Sequence, residues 1–238
     1  MVETLERTVG HSGELVLRRR RGRLELICGG VFVISEENEE SSRALVRAAL
    51  PQLPARPLDV LIGGLGFGYA LDEALATERV RSVTVAELEP AILSWFERYG
   101  AGRASRCAAD ARARILVADV VEVLHERPKS CDLLVLDTDN GPDWLVREAN
   151  AVLYAEDGVR LAHRALRPAG VAVFWAPAPA PAFAVLLRRT FAAVGVVAAA
   201  DVVDGRRYIY AMYVCRRSAR PASRTKAPQD PHGARALK

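Results

Sequence analysis

The sequence predicts an α/β fold: a mostly parallel sheet, a small β extension ahead of it and an antiparallel hairpin behind it. Three observations carry this. From Pro57 to about Ala200, short apolar runs alternate with helical stretches, the pattern of βαβ units whose sheet is covered on both faces. Ahead of that zone, residues 12–35 read as antiparallel strands broken at Arg21-Gly22 and Gly29-Gly30. Behind it, Val197–Val203 and Tyr208–Val214 flank Asp204-Gly205, a tight-hairpin signal at a sheet edge.

In chain order, Glu14–Arg19, Arg23–Ile27 and Val31–Ile34 are the strands of the extension. The run Arg18–Arg21 reads as a solvated strand-to-turn segment in preference to a phosphate patch, because no aromatic residue interleaves it. Ser35–Glu40 is acidic, and Ser41–Leu50 has helical character up to Pro51. Leu58–Ile62 is a strand and Tyr69–Thr77 a helix. Val83–Val85 continues as a strand to Glu87, and Pro90–Tyr99 is a helix opened by proline in its first turn. Ile115–Ala118 and Val120–Glu126 form the next strand and helix. Leu133–Leu136 is a strand, followed by helix through Val159–Leu166. Pro168-Ala169-Gly170 turns into the strand Val171–Trp175, and Pro181–Val194 is a helix. This gives an extension with its first helix (1–50), a Rossmann-like nucleoside-binding catalytic domain (51–215) and a disordered basic tail (216–238).

The chain of 238 residues is half apolar and 26% charged, which excludes a wholly disordered or fibrous protein. Its net charge of +4 invites a nucleic-acid reading, but residues 216–238 hold seven Lys or Arg against one Asp, leaving −2 on residues 1–215. No specific nucleic-acid partner is expected. Only three of the 33 cations are lysine, which reads as coding bias. Cys28, Cys107, Cys131 and Cys215 make no CxxC pair and the four histidines are scattered, so no metal is expected. No apolar leader or 18-residue apolar stretch occurs, so the expectation is a cytoplasmic protein without a membrane partner.

The chemistry-bearing residues sit at strand ends. The first parallel strand runs into Gly63-Gly64-Leu65-Gly66-Phe67-Gly68 and then a helix, where a glycine loop and a helix N-terminus approach a ligand in open α/β sheets. The second ends at Glu87, placed to accept ribose hydroxyl protons of a nucleoside cofactor, either NAD or S-adenosylmethionine; Glu89 is expected to face solvent. The third ends at Asp119, a helix N-cap or a partner for an adenine amino group. The fourth runs into Asp137-Thr138-Asp139-Asn140-Gly141-Pro142. Side chains two apart on an extended chain point the same way, so Asp137 and Asp139 are candidates for binding an ammonium and taking its proton. In the competing reading Asp137 binds cofactor or caps a helix and Asp139 merely turns the loop. Trp144, Tyr154, Trp175 and Phe183 are candidate pocket walls; Trp95 and Phe96 read as core or interface.

The order GGLGFG, VTVAELEPAIL, LVADVVEVL, DLLVLDTDNGPDWL and ALRPAGVAVFW resembles spermidine synthases, the polyamine aminopropyltransferases of the class I S-adenosylmethionine-dependent fold, over roughly residues 13–215. The resemblance implies a seven-strand sheet. It assigns Gly63, Gly64, Gly66 and Gly68 to the methionine-derived part of the co-substrate, Glu87 to the ribose and Asp119 to the adenine. Asp137 falls at the reacting centre and Asp139 near the amine; Trp144 and Trp175 are placed at the substrate pocket by their position in the sequence alone. Dimers are common in the family. The chain departs from the family pattern at three places: Gly66 stands where the family has an acid, Asp137–Asn140 shortens the acidic loop, and Glu39-Glu40-Ser41-Ser42 replaces a Tyr-His pair. Three functions follow as expectations: aminopropyl transfer from decarboxylated S-adenosylmethionine to an amine, methyl transfer from S-adenosylmethionine to a small molecule, or a catalytically silent nucleoside-binding protein.

Overall fold

The computed structural model describes residues 1–219. Four antiparallel strands open the chain: β1 (Val2–Gly10), β2 (Gly13–Arg20), β3 (Arg23–Cys28) and β4 (Val31–Ser35), in sheet order 1-2-3-4. β1 has no counterpart in the sequence reading; its exposed residues carry no alternating apolar signal. Helix α1 (Glu39–Ala49) follows and buries Leu45, Val46 and Ala49 against the second sheet.

The second sheet comprises β5 (Leu58–Gly63), β6 (Val80–Glu87), β7 (Ala113–Val117), β8 (Cys131–Leu136), β9 (Leu166–Ala176), β10 (Ala193–Val203) and β11 (Arg206–Arg216), ordered 10-11-9-8-5-6-7. Strands 5 to 9 are parallel and the terminal hairpin is antiparallel. Helices α2 (Tyr69–Leu75), α3 (Pro90–Tyr99), α4 (Ala101–Ala109), α5 (Val120–Glu126), α6 (Ala151–Tyr154), α7 (Glu156–Ala165) and α8 (Pro181–Thr190) cover its faces. Two clusters of buried side chains, one on each face, explain the continuous apolar runs of β5 and β8. The sheet is the seven-strand, mostly parallel one expected, with its hairpin turn at Asp204 (φ +52°) and Gly205 (φ +75°).

Several boundaries move. α4 is absent from the sequence reading because Arg and Ala dominate it and only Ala104 and Cys107 are buried. The expected turn at Pro168–Gly170 persists as an irregularity: Cys131 pairs with Leu166 and Leu133 with Val171, while Ala169 takes φ +64°. Helix α8 stops at Thr190, since the edge strand β10 claims Ala193 onward. Two residues expected in the tail belong to the fold: Arg216 closes β11 and the Arg217 amide donates to the Gly170 carbonyl (2.8 Å). The remainder of that basic tail, 220–238, lies outside the described residues.

The arginine run Arg18–Arg21 is solvated in part: the side chains of Arg19 and Arg21 are exposed, while Arg18 and Arg20 are drawn into ion pairs. Arg18 and Arg20 both pair with buried Glu25 (2.7 and 2.6 Å), and Arg20 and Arg21 reach Asp204 (2.5 and 2.9 Å). These pairs tie the first sheet to the turn of the terminal hairpin. Among the described residues, no helix is long and apolar enough to cross a membrane.

Candidate active site

A cavity of about 770 Å³ opens at the carboxyl ends of the parallel strands, roofed by the first sheet. Its size is that of a pocket for a small organic ligand, roughly 300–1,000 Å³. β5 delivers the glycine loop to it. Gly64 (φ +88°) approaches β8 so closely that a Cβ would lie 2.4 Å from the Asp137 carbonyl oxygen. Gly66 (φ +51°) differs: a Cβ there would meet only the Ile34 side chain, at 3.5 Å, at the cavity wall. Gly63 and Gly68 are packed against Val120 and the Phe96 ring respectively. Helix α2 has only seven residues, so the loop's own backbone, not a long helix dipole, is what this turn offers.

Glu87 is buried at the end of β6 and lines the cavity. Its Oε2 accepts from the Leu65 amide (2.8 Å) and its Oε1 from the Glu89 amide (2.9 Å), which fixes the glycine loop to the strand. Burial pushes its carboxyl above the usual range, partly offset by these amides. The two bonds leave lone pairs for further donors. Glu89 does not face solvent as the sequence reading has it: it is 3% exposed and accepts from the His11 (3.0 Å) and Ser12 (2.7 Å) amides. The missing partner was the β1–β2 turn, whose first strand gives no sequence signal.

Asp119 caps α5 by accepting from the Val121 amide (2.9 Å) and pairs with Arg147 (3.2 Å). Arg147, unremarked in the sequence, also donates to Asn150 Oδ1 (3.0 Å) and lines the cavity.

Asp137 and Asp139 both line the cavity but have different partners. Asp137 accepts from the Ser42 hydroxyl of α1 (3.2 Å). Its carboxyl is raised to about 6: burial lifts it most, the Ser42 bond lowers it, and the charge of Asp201 lifts it again. Asp139 is 8% exposed and accepts from the amides of Asn140 (2.7 Å), Val146 (2.6 Å) and Arg147 (3.2 Å) and from Asn150 Nδ2 (2.8 Å). Its carboxylate organises loop 139–150. Strand β8 ends at Leu136, so the two-residue alternation that would aim both acids alike does not extend to Asp139.

The aromatic wall is also re-sorted. Trp175 packs against Tyr210 (centroids 5.1 Å, 38°) and lines the cavity, as does Trp144, which is 67% exposed. Tyr154 and Phe183 face the core instead, edge to face at 5.5 Å. Trp95 and Phe96 are core residues. Phe32, Tyr208 and Tyr210 are cavity residues that the sequence reading missed. The spacing of Tyr208 and Tyr210, two apart beyond the Asp-Gly turn, places them on one face of β11 and was the available signal.

Comparison with solved structures decides the architecture. A spermidine synthase in complex with the transition state analogue AdoDATO superposes with a TM-score of 0.73 at 18% identity, over 92% of this chain and 75% of that one. The spermidine synthase of Thermotoga maritima gives 0.71 at 16% identity, over 93% and 75%. This chain has the spermidine synthase fold. No family model matches the sequence. Polyamine aminopropyltransferase 1 of Streptomyces coelicolor is 34% identical over 122 residues, half of this chain and 22% of that protein, so the chain spans about a fifth of the length of that relative. In the spermidine synthase fold as this chain builds it, Gly64, Gly66, Glu87, Asp119, Asp137 and Asp139 converge on one cavity, with Trp144 and Trp175 on its wall, while Gly63 and Gly68 serve the packing behind it.

Proposed function

We propose that the protein transfers an aminopropyl group from decarboxylated S-adenosylmethionine to an amine. The observation that carries this is Asp137: a carboxyl raised to about 6, in the cavity wall, with a hydroxyl as its hydrogen-bond partner. A base poised near neutral pH suits removal of a proton from a bound ammonium. The neutral amine then attacks the methylene carbon bonded to the sulfonium. The new C–N bond forms as the C–S bond breaks, its electron pair goes to sulfur, and 5′-methylthioadenosine leaves as a neutral thioether. The protein's task is to orient both reactants and exclude water.

The remaining residues support this division of labour. Glu87 has lone pairs left for ribose hydroxyls, and the glycine loop it anchors borders the same space. Asp119 stands at the third strand end for the adenine side, while Asp139 holds the loop that closes the site and bears Trp144. The cavity wall carries six carboxylates, and its two guanidinium groups, Arg20 and Arg147, are already paired with Asp204 and Asp119. Among the described residues no guanidinium of the cavity wall is left over for the carboxylate of S-adenosylmethionine, which favours the decarboxylated donor over methyl transfer. The cysteines are free and buried, which fits a reducing compartment, the cytoplasm.

Calorimetry with decarboxylated S-adenosylmethionine, S-adenosylmethionine and 5′-methylthioadenosine tests the proposal. The decarboxylated donor is expected to bind tighter than S-adenosylmethionine. The reverse order points to methyl transfer, and binding of none of the three removes both enzymatic readings.

A further inference from the structure

We propose that the amine acceptor is a monoamine with an apolar or aromatic tail, not a diamine. This rests on the aminopropyl-transfer reading of the same cavity. The sheet order 10-11-9-8-5-6-7 divides that cavity at Asp137, which follows β8. On one side lie the mouths of β5, β6 and β7 with Gly64, Gly66, Glu87 and Asp119, the nucleoside half. On the other lie the mouths of β9 and β11, with Trp175, Tyr208 and Tyr210, faced by Phe32 of β4. The amine whose proton Asp137 takes must extend its remaining chain into this second half.

A short diamine would carry its second ammonium there, where the carboxylates are spoken for. Asp204 is held by Arg20 at 2.5 Å and Arg21 at 2.9 Å. Asp201 accepts from the Glu40 (2.9 Å) and Ser41 (3.2 Å) amides at the start of α1. Asn38 spends its side chain on Ser35 and on the Tyr210 hydroxyl. Arg20, which lines this half, is the cation that occupies Asp204, with its other side on Glu25. An ammonium placed there loses water without gaining a free anion, whereas an alkyl or aryl tail meets the Trp175–Tyr210 pair and Phe32.

The test uses the full chain saturated with 5′-methylthioadenosine and titrates in 1-pentylamine and 1,4-diaminobutane, which have the same number of heavy atoms and differ in a terminal methyl against an ammonium. 1-Pentylamine is expected to bind about tenfold tighter or more, with 2-phenylethylamine at least as tight. In Arg20→Met, Glu25 keeps Arg18 and Asp204 loses its nearer cation, so the gap is expected to narrow by about threefold or more through tighter diamine binding. If 5′-methylthioadenosine fails to bind, the transfer reading falls and this proposal with it. If it binds and the diamine then equals or beats 1-pentylamine, this proposal alone is overturned. A gap that Arg20→Met leaves unchanged likewise overturns it.

Discussion

At the amino ends of the parallel strands, Asp132 is fully buried between Arg56 (2.7 Å) and Arg167 (2.9 Å), and Asp59 pairs with Arg167 (2.5 Å) and Arg81. Burial pushes the Asp59 carboxyl up, but hydrogen bonds from Arg81, Ser82 and Arg167 more than offset it and hold it well below the usual carboxylate range. At the carboxyl end of β8, five residues from Asp132, Asp137 has a hydroxyl where those aspartates have guanidinium groups, and its carboxyl rises to about 6. The same residue type on one sheet is thus a fixed charge at one end and a titrating group at the other. Cations at the amino end satisfy the structure, and their absence around Asp137 leaves a group with a proton to exchange.

The comparison is broken most severely by Asp137→Asn. Turnover is expected to fall by about a thousandfold, in the range for loss of a positioned general base, with donor affinity preserved by calorimetry. Turnover within a few-fold of the parent would remove Asp137 from the reaction. The same variant is expected to gain up to about 3 kcal/mol of stability at pH 8, because ionising a carboxyl raised to about 6 costs the folded state. Arg167→Met acts in the opposite sense at the other end. It leaves buried Asp132 with Arg56 and the Asp59 amide, and a loss of about 2 kcal/mol in urea unfolding is expected, below the full cost of an unpaired buried charge. Donor binding should be unchanged, and a large loss of affinity would mean that the two ends are coupled.

The pH dependence separates the ends again. Asp137 has a folded pKa above its unfolded one, so its contribution to stability is fully present at low pH and is lost as pH rises through about 6. Catalysis runs the other way: kcat/KM is expected to fall as pH drops through about 6, where the base becomes protonated. Asp59 has a depressed folded pKa, so its contribution holds above the unfolded value and disappears only in strong acid. A flat kcat/KM profile from pH 5 to 8 would contradict the assignment of Asp137 as base.

Most of the sheet was legible because buried parallel strands are continuous apolar runs: β5 and β8 were read from Leu58–Ile62 and Leu133–Leu136 almost to the residue. Strand ends then named Gly64, Gly66, Glu87, Asp119 and Asp137, which line one cavity, although Gly63 and Gly68 of the same loop do not. What was not legible depends on contacts distant in sequence. The partners of Asp139 are amides of a loop that follows it, and those of Glu89 belong to residues 11 and 12. Ser42 reaches Asp137 because α1 packs on the sheet, a contact that no local pattern of Ser41–Leu50 announces. The polarity of a carboxylate is visible in the sequence, but its partners are not.

The smallest expected effect lies at Glu89, which resembles the amino-end aspartates in being buried and satisfied, yet does its work with backbone amides instead of arginines. In Glu89→Gln the side-chain amide keeps one acceptor oxygen, so one of the His11 and Ser12 amides must find another partner. The cost is expected to be about 1 kcal/mol, that of one buried hydrogen bond to a charged acceptor partly replaced. Because Gly10 packs directly on this carboxylate, the β1–β2 turn should loosen before the sheet does. Amide exchange at His11 and Ser12 is therefore expected to accelerate while exchange in β5 and β8 stays as in the parent. Uniform acceleration through both sheets would show that Glu89 supports the whole fold and not the roof of the cavity alone.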